Sequence, residues 1–383
     1  MSYTPYQMNL DSLLHSELAK LEAASLRRTL RTTDAGILNF AANDYLGLSR
    51  HPALIEAARL ATAQHGTGAG ASRLVTGTDS AVLALEEQLA AWKEKEAALV
   101  FSSGYAAALG TIPALVGKSD TVILDKLAHA SLIDAARLSG ATVRTFPHND
   151  MARLEALLAK LSPGKTRILV VTESIFSMDG DAAPLRELVE LKERHGAWLL
   201  VDEAHATGLY GATGAGLLTE AGLSPRVEIV LGTLSKALGS VGGYIAGSRV
   251  LIDWLVNRAR SFIYSTALPP GVIAASRAAI DLCQTPEGAS LRGRLWGNVA
   301  RFHAGLPPQW KKGTLSSSAI QPLICGEASA ALQLAATLRE QGFLIPAIRY
   351  PTVPRHVARL RVTLSAAHAD KDIDALTRAL AIR

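Results

Sequence analysis

Apolar positions repeat along the chain with two different periods, and each period predicts a different kind of element. In residues 9–31, leucines recur at helical spacing and predict an amphipathic helix. Further on, short and nearly continuous apolar runs alternate with longer amphipathic stretches. The predicted strands are 97–101, 121–124, 142–146, 167–172, 197–201 and 228–231, with 241–246 as an edge strand, and the predicted helices are 52–65, 79–92, 104–115, 131–138, 151–161, 184–195 and 249–260. This alternation predicts an α/β fold with a buried, mostly parallel sheet and helices on both faces.

The rhythm changes after about residue 285. Residues 284–288 (Gln-Thr-Pro-Glu-Gly) are typical of a connection between domains. Beyond it, the predicted strands are 318–324, 344–349 and 359–363, and the predicted helices are 329–341 and 370–381. We therefore expect an N-terminal helical segment over 1–45, a large domain over 46–285 and a small α+β domain over 286–383.

Composition and charge exclude several classes of protein. The chain has 383 residues, of which 49% are hydrophobic and 19% charged, so a large core is expected. The net charge of +5 comes from scattered residues and does not indicate nucleic-acid binding. The uncharged stretch 97–117 contains Gly110 and Pro113, and we do not expect it to cross a membrane. The chain starts without a leader-like pattern and contains only two cysteines, Cys283 and Cys325, which predicts a reducing, cytoplasmic location.

Reactive side chains follow several of the predicted strands directly. Because ligands of open α/β sheets bind beyond the carboxyl ends of the strands, we expect these side chains to meet at one edge. They are Gly104 and Tyr105, His129, Ser177, Asp202 and His205, and Thr233 and Lys236.

This set of groups matches the needs of pyridoxal 5′-phosphate (PLP). The cofactor requires a lysine amine, a carboxylate beside its pyridine nitrogen and a flat group over its ring. Lys236, Asp202 and His129 can supply these three. The amides of Gly104 and Tyr105 open a predicted helix, where a phosphate group is favoured, and the Thr233 hydroxyl can add to them.

Other kinds of site are weaker or open alternatives. The chain has no P-loop pattern, and its glycine-rich segment 66–72 lacks the spacing of a dinucleotide fingerprint. A zinc hydrolase that uses His129, His205 and Asp202 remains open, although no HExxH motif occurs. A non-catalytic binding protein is also conceivable, but the lysine and the aspartate favour an enzyme.

Six motifs together resemble those of the α-oxoamine synthases. They are residues 43–48 (Asn-Asp-Tyr-Leu-Gly-Leu), 70–77 (Gly-Ala-Ser-Arg-Leu-Val-Thr-Gly), 129–131 (His-Ala-Ser), 177–181 (Ser-Met-Asp-Gly-Asp), 201–208 (Val-Asp-Glu-Ala-His-Ala-Thr-Gly) and 233–236 (Thr-Leu-Ser-Lys). The resemblance covers roughly residues 35–370. It implies a PLP-dependent acyltransferase of fold-type I, with an aspartate-aminotransferase-like large domain, that works as a homodimer.

The resemblance also implies roles for individual residues. Lys236 would hold the cofactor covalently and move a proton, Asp202 would pair with the pyridine nitrogen, and His129 would stack on the ring. The other cofactor-binding residues it implies are Gly104, Tyr105, Ser177, His205, Thr233, Ser265 and Thr266, with Ser265 and Thr266 offered to the partner subunit. The substrate-binding residues it implies are Arg27, Asn43, His129, Arg349, Thr352 and Arg361, and no metal is implied.

Three further segments narrow the expected substrates. Residues 318–324, 347–354 and 359–368 are similar to the branch of the family that condenses L-alanine with a pimeloyl thioester in biotin biosynthesis. The acyl group would ride on coenzyme A or on acyl-carrier protein. A 2-amino-3-ketobutyrate ligase, or another family member that uses glycine, remains the alternative.

Overall fold

The helices and strands are described over residues 9–30, 32–33, 36–161, 166–311 and 315–381 of a computed structural model. The helices are α1 Leu10–Ala23, α2 Pro52–His65, α3 Ser80–Trp92, α4 Gly104–Leu115, α5 Ala130–Leu138, α6 Met151–Ala159, α7 Leu185–Arg194, α8 Leu217–Glu220, α9 Arg249–Arg258, α10 Arg260–Ile263, α11 Pro270–Cys283, α12 Pro286–Gly305, α13 Ala328–Glu340 and α14 Asp370–Ala379. The strands are β1 Leu38–Asn39, β2 Ala97–Phe101, β3 Thr121–Asp125, β4 Thr142–Phe146, β5 Ile168–Glu173, β6 Trp198–Asp202, β7 Ile229–Thr233, β8 Gly243–Gly247, β9 Ile320–Gly326, β10 Phe343–Leu344, β11 Ala347–Ile348 and β12 Ala358–Thr363.

A seven-stranded sheet in the order β2-β8-β7-β6-β5-β3-β4 forms the centre of the fold. Its neighbours β4, β3, β5, β6 and β7 pair in parallel. Alternate residues of one strand feed different cores: Val170 packs into one apolar cluster and Val171 into the other. The predicted mostly parallel sheet, covered on both faces, is therefore confirmed.

The position predicted for one strand is wrong. The run 241–246 was expected at an edge of the sheet, but β8 lies between β2 and β7 and is antiparallel to both. Its side chains give no sign of an edge, because all five of its residues are buried. Hydrophobic periodicity identifies a strand but not its neighbours in the sheet, so the position of β8 does not follow from the sequence pattern.

The C-terminal part contains a three-stranded antiparallel sheet in the order β11-β12-β9. The single strand predicted over 344–349 is two short strands, and β10 pairs instead with β1. The connection predicted over 284–288 is also wrong beyond its first residues, since α12 begins at Pro286 with Thr285 as its N-cap. Proline fits the first turn of a helix, so the same residues that suggest a loop also start this helix. The domain boundaries near residues 45 and 285 stay predictions.

The N-terminal helix is shorter than predicted. It ends at Ala23 rather than near residue 31, and Ser25 just beyond it has a left-handed backbone with φ of 56°. Arg31 lies outside the described residues. Within the described ranges, no helix combines the length and the apolar character needed to cross a membrane.

Candidate active site

The ends of three neighbouring strands bring the main reactive groups together. Strands β5 and β6 pair in parallel so that Glu173 is the register partner of Asp202. Strand β6 pairs in the same way with β7, whose last residue, Thr233, precedes Lys236 by three positions. The predicted meeting of these side chains at one sheet edge follows from this register.

Lys236 is a half-buried residue whose amine lies beside a histidine. Its Nζ lies 2.8 Å from Nε2 of His205. Burial lowers the pKa of Lys236 to about 8, even though the charges of Asp202 and Glu173 act in the opposite direction. A substantial fraction of the amine is therefore neutral near pH 8, and a neutral amine is the form that attacks a carbonyl carbon.

A chain of hydrogen bonds continues from His205 to the small sheet. Nδ1 of His205 lies 2.6 Å from the Tyr45 hydroxyl, which donates to Oδ1 of Asn43 at 3.2 Å. The same Asn43 oxygen accepts from Nη1 of Arg361 at 3.0 Å. Burial, together with the positive charges of Lys236 and Arg361, holds the pKa of His205 well below its usual value, so the ring is neutral.

Arg361 has one free nitrogen in a buried place. Its Nε donates to the carbonyl of Ser177 at 2.6 Å, and its Nη1 donates to Asn43 and Thr363. Its Nη2 is buried and has no hydrogen-bond partner among the described residues. A buried donor without a partner is costly, so this nitrogen, beside Asn43, is placed to donate to an oxygen of a bound carboxylate.

The carboxyl groups of Asp202 and Glu173 lie side by side near Lys236. Asp202 accepts the amide of Ala204 at 2.8 Å, and Glu173 accepts the amide of Ser177 at 3.2 Å. Burial raises the pKa of both groups, and the negative charge of Asp202 raises that of Glu173 further. The pair can thus hold one charge and one proton, with Asp202 as the charged partner for a cation.

Helix α4 presents its N-terminus to the same edge. The side chain of Ser103 caps the helix by accepting from the amide of Ala106. The amides of Gly104 and Tyr105 precede any intrahelical acceptor. Thr233 lies against Gly104, with its hydroxyl oxygen 3.8 Å from the place where a Cβ of residue 104 would be, but in this structure that hydroxyl donates to the carbonyl of Gly242 at 2.7 Å. The two amides at the start of α4 form a small cradle suited to a phosphate.

His129 is the N-cap of α5, directly before the helix begins at Ala130. Its Nδ1 accepts the amide of Ser131, so the proton of the neutral ring is on Nε2. Burial lowers the pKa of His129, and the charges of Asp202 and Lys236 both act on it. Ser177 lines the same cavity as His129, and its backbone contacts both Glu173 and Arg361. The structure therefore brings His129 and Ser177 to the same site as Lys236.

Ser265 and Thr266 lie apart from the lysine within this subunit. They line a small cavity of about 20 Å³ together with Ser102 and Arg73. Thr266 forms an isolated bridge with Ser72 of the glycine-rich segment. Their expected contact with a partner subunit stays a prediction.

A cavity of about 600 Å³ opens beside His129. Arg28 and Thr352 line it, and the Arg28 Nη2 lies 3.4 Å from the Thr352 hydroxyl. Arg27 points elsewhere, because its guanidinium pairs with Glu22 at 3.3 Å. Arg349 donates to the carbonyl of Arg27 at 2.9 Å and thereby holds the segment in place.

The zinc alternative finds no support in the geometry. In the part of the chain that the structure describes, no group of three His, Cys, Asp or Glu residues is placed to hold a metal ion. Both ring nitrogens of His205 are also engaged, one by Tyr45 and the other by Lys236.

The chain matches a known family over most of its length. The family model for class I and II aminotransferases matches residues 35–380. The chain therefore belongs to this family of PLP-dependent enzymes, in its α-oxoamine synthase branch.

Curated relatives of high similarity share one enzyme name. The chain is 48% identical to an 8-amino-7-oxononanoate synthase of Methylobacterium radiotolerans, over 97% of this chain and 98% of the relative. It is 46% identical to the enzyme of the same name from Geobacter sulfurreducens, over 95% and 96%. Among solved structures, a serine palmitoyltransferase from S. paucimobilis superposes with a TM-score of 0.90 at 30% identity, over 97% of both chains.

The residues present fit PLP. Lys236 supplies an amine of lowered pKa, Asp202 a buried carboxylate, and the start of α4 a phosphate cradle. Tyr45 and Glu173 also belong to the site, although sequence reasoning assigned no role to either. Glu173 was visible as a residue at a strand end, and Tyr45 lies inside the 43–48 motif. Both residues could thus have been noticed in the sequence, but nothing there shows that Tyr45 contacts His205 or that Glu173 lies beside Asp202.

Proposed function

We propose that the protein condenses L-alanine with a pimeloyl thioester, with loss of CO2 and release of the thiol, to form 8-amino-7-oxononanoate. The curated relatives at 46–48% identity carry the name of this activity over nearly the full chain. The observation that carries the proposal is that the half-buried Lys236, the buried Asp202 and the unpaired nitrogen of the buried Arg361 meet at one sheet edge.

Each of these residues has a distinct task in the proposed reaction. PLP, when bound, withdraws electrons from the α-carbon of the amino acid. Lys236 holds the cofactor and then moves the α-proton through Nζ, which suits an amine whose pKa lies near the working pH. Asp202 keeps the pyridine nitrogen protonated. Arg361 and Asn43 bind the amino-acid carboxylate and fix its orientation, and the Nε2 proton of His129 is placed to donate to substrate.

The cavity beside His129 is the proposed place of the acyl chain. It lies between residues 126–133 and the segment 351–354, next to His129 and Ser177. Thr352 belongs to the segment 351–354, and Arg349 lies just before this segment in the chain.

We also propose that the protein works as a homodimer. Val75 and Tyr264 are large side chains that are 73% and 71% exposed, and Leu74 beside them is 52% exposed. Apolar groups gathered on a surface are typical of an interface. In this arrangement Ser265 and Thr266 would serve the partner's phosphate site. The cytoplasmic location stays a prediction.

The covalent role of Lys236 has a direct test. Borohydride reduction of the PLP-loaded protein should fix the cofactor to the peptide that contains Lys236, and Lys236→Ala should abolish this labelling. Lys95→Ala is the matched control, because burial also lowers the pKa of Lys95 to about 8, but Lys95 lies beside the starts of β6 and β7, at the other end of the sheet. Labelling that follows Lys95, or no labelling of the wild type, would reject the proposal.

The substrate is tested separately. Thiol release from pimeloyl thioesters should depend on L-alanine, with little release when glycine or L-serine replaces it. Equal turnover with glycine would favour the alternative ligase.

A further inference from the structure

Tyr45 occupies a place in the site that none of the proposed steps uses. It is 1% exposed, and its hydroxyl reaches both Nδ1 of His205 and Oδ1 of Asn43. It thereby joins His205, which contacts Lys236, to Asn43, which contacts Arg361.

The direction of each hydrogen bond in this chain can be worked out. Arg361 has only donors, so the Asn43 atom that faces it at 3.0 Å is the amide oxygen, which only accepts. The Tyr45 hydroxyl therefore donates its single proton to Asn43. It must then accept from His205, which places the proton of the neutral imidazole on Nδ1.

This tautomer decides what His205 presents to the lysine. With its proton on Nδ1, the ring has a lone pair on Nε2, 2.8 Å from Nζ of Lys236. A lone pair accepts a hydrogen bond from a protonated amine and so favours that form. The opposite tautomer would face the ammonium with an N–H and disfavour it.

We propose that Tyr45 is a positioning residue: its hydroxyl fixes the His205 tautomer that accepts from Lys236 and anchors that pair to the Asn43–Arg361 carboxylate site. The inference rests on the proposed function, since it concerns the same lysine. It adds a residue that touches neither the cofactor amine nor the substrate and acts through His205.

Other charged groups act on this lysine as well. Asp202 and Glu173 approach from β6 and β5, Arg361 from β12, and His129 from the start of α5. Removing the Tyr45 hydroxyl leaves all of these charges in place. Arg361 also interacts with Tyr45, so the state of the Asn43–Arg361 pair is checked in Tyr45→Phe through its KM for L-alanine.

The test is the pH dependence with which the full-length, cofactor-free protein captures PLP, followed by absorbance. In the wild type, the capture rate should rise with a midpoint near pH 8. In Tyr45→Phe the midpoint should fall by about 0.5–1 pH unit, the equivalent of one hydrogen bond. Tyr210→Phe is the matched control, because the buried Tyr210 hydroxyl has no hydrogen-bond partner among the described residues. Its midpoint should stay at the wild-type value.

Each outcome separates the two proposals. A folded Tyr45→Phe with the wild-type midpoint overturns the role of Tyr45 and leaves the proposed function intact. A wild type that captures no PLP rejects the proposed function itself. If Tyr45→Phe fails to fold, ¹⁵N NMR of His205 in the cofactor-free wild type decides: a proton on Nδ1 supports the inference, and a proton on Nε2 overturns it.

Discussion

Glu173 and Asp202 are register partners at the ends of neighbouring parallel strands, so two buried carboxyl groups stand side by side next to Lys236. Parallel pairing puts their side chains on the same face of the sheet. Two neighbouring carboxyl groups do not ionise independently, because the negative charge of the first raises the pKa of the second. Burial and the charge of Asp202 hold the pKa of Glu173 well above its usual value, and one of its oxygens, Oε1, has no hydrogen-bond partner among the described residues.

The first prediction is that Glu173→Gln makes the cofactor-free protein more stable than the wild type at pH 8 but not near pH 4. The pKa of Glu173 is raised above its ordinary value of 4.5, so the folded protein holds a proton that the unfolded chain loses. Wild-type stability therefore falls as the pH rises above about 4.5, until the folded-state pKa is reached. Glutamine carries no such proton. We expect equal melting temperatures near pH 4 and a higher one for Glu173→Gln at pH 8. Equal values at both pH values would show that Glu173 ionises normally.

A second buried charge pair holds the loop that follows Asp202. Lys93 and Glu203 are 1% and 0% exposed at their side chains, with 3.0 Å between Nζ and Oε2. Lys93 also donates to Thr207 and to the carbonyl of Ala215. Gly216 has φ of 126°, and a Cβ there would clash with the Glu203 carboxylate, so the turn requires glycine.

The second prediction is that Lys93→Met destabilises the protein by about 3–5 kcal/mol, because it leaves the Glu203 charge buried without its partner. The double variant Lys93→Met/Glu203→Gln should recover part of this loss. Chemical denaturation of the PLP-loaded proteins measures both. Additive losses would mean that the two groups do not interact.

The third prediction concerns His148, which bridges two acidic side chains. Its ring nitrogens lie 3.0 Å from Asp125 and 2.7 Å from Asp181. Burial opposes the charged ring, but the hydrogen bonds to Asp125 and Asp181 raise the pKa of His148 to about 10. A raised folded-state pKa adds stability that is complete below the unfolded value of about 6.5 and is lost as the pH approaches 10.

We therefore expect His148→Gln to lower stability by about 1.5–3 kcal/mol at pH 6, the usual contribution of hydrogen bonds to a charged group, and by much less at pH 10. Melting temperatures at the two pH values test this. A constant difference between variant and wild type would show that packing against Phe176, 4.3 Å away between ring centroids, matters more than charge.

The sequence predicted the parts of the site that depend on local pattern. Lys236, Asp202 and His205 each follow an apolar strand, and parallel strands meet at one edge, so their proximity was predictable. Tyr45 was not, because its partner His205 is 160 positions away and only the tertiary fold joins them. The place of β8 within the sheet was missed for the same reason: strand order is a long-range property.

The last prediction compares two adjacent arginines, of which the family resemblance favours one and the geometry favours the other. The resemblance implies Arg27 as a substrate contact, yet the Arg27 guanidinium pairs with Glu22, while Arg28 lines the cavity beside His129. If the acyl thioester enters that cavity, Arg28→Ala should raise its KM by about five- to tenfold, the equivalent of roughly 1–1.4 kcal/mol. Arg27→Ala should change the KM by less than about twofold.

The KM for L-alanine is the internal control. The guanidinium of Arg27 bonds to Glu22 and that of Arg28 to Thr352, so neither bonds to Asn43 or Arg361, the proposed binding residues for the amino acid. This KM should stay unchanged in both variants. A larger effect from Arg27→Ala would mean that the segment after α1 rearranges when the thioester binds. Helix α1, which precedes that segment, has no buried residue, so its packing within this subunit does not oppose such a movement.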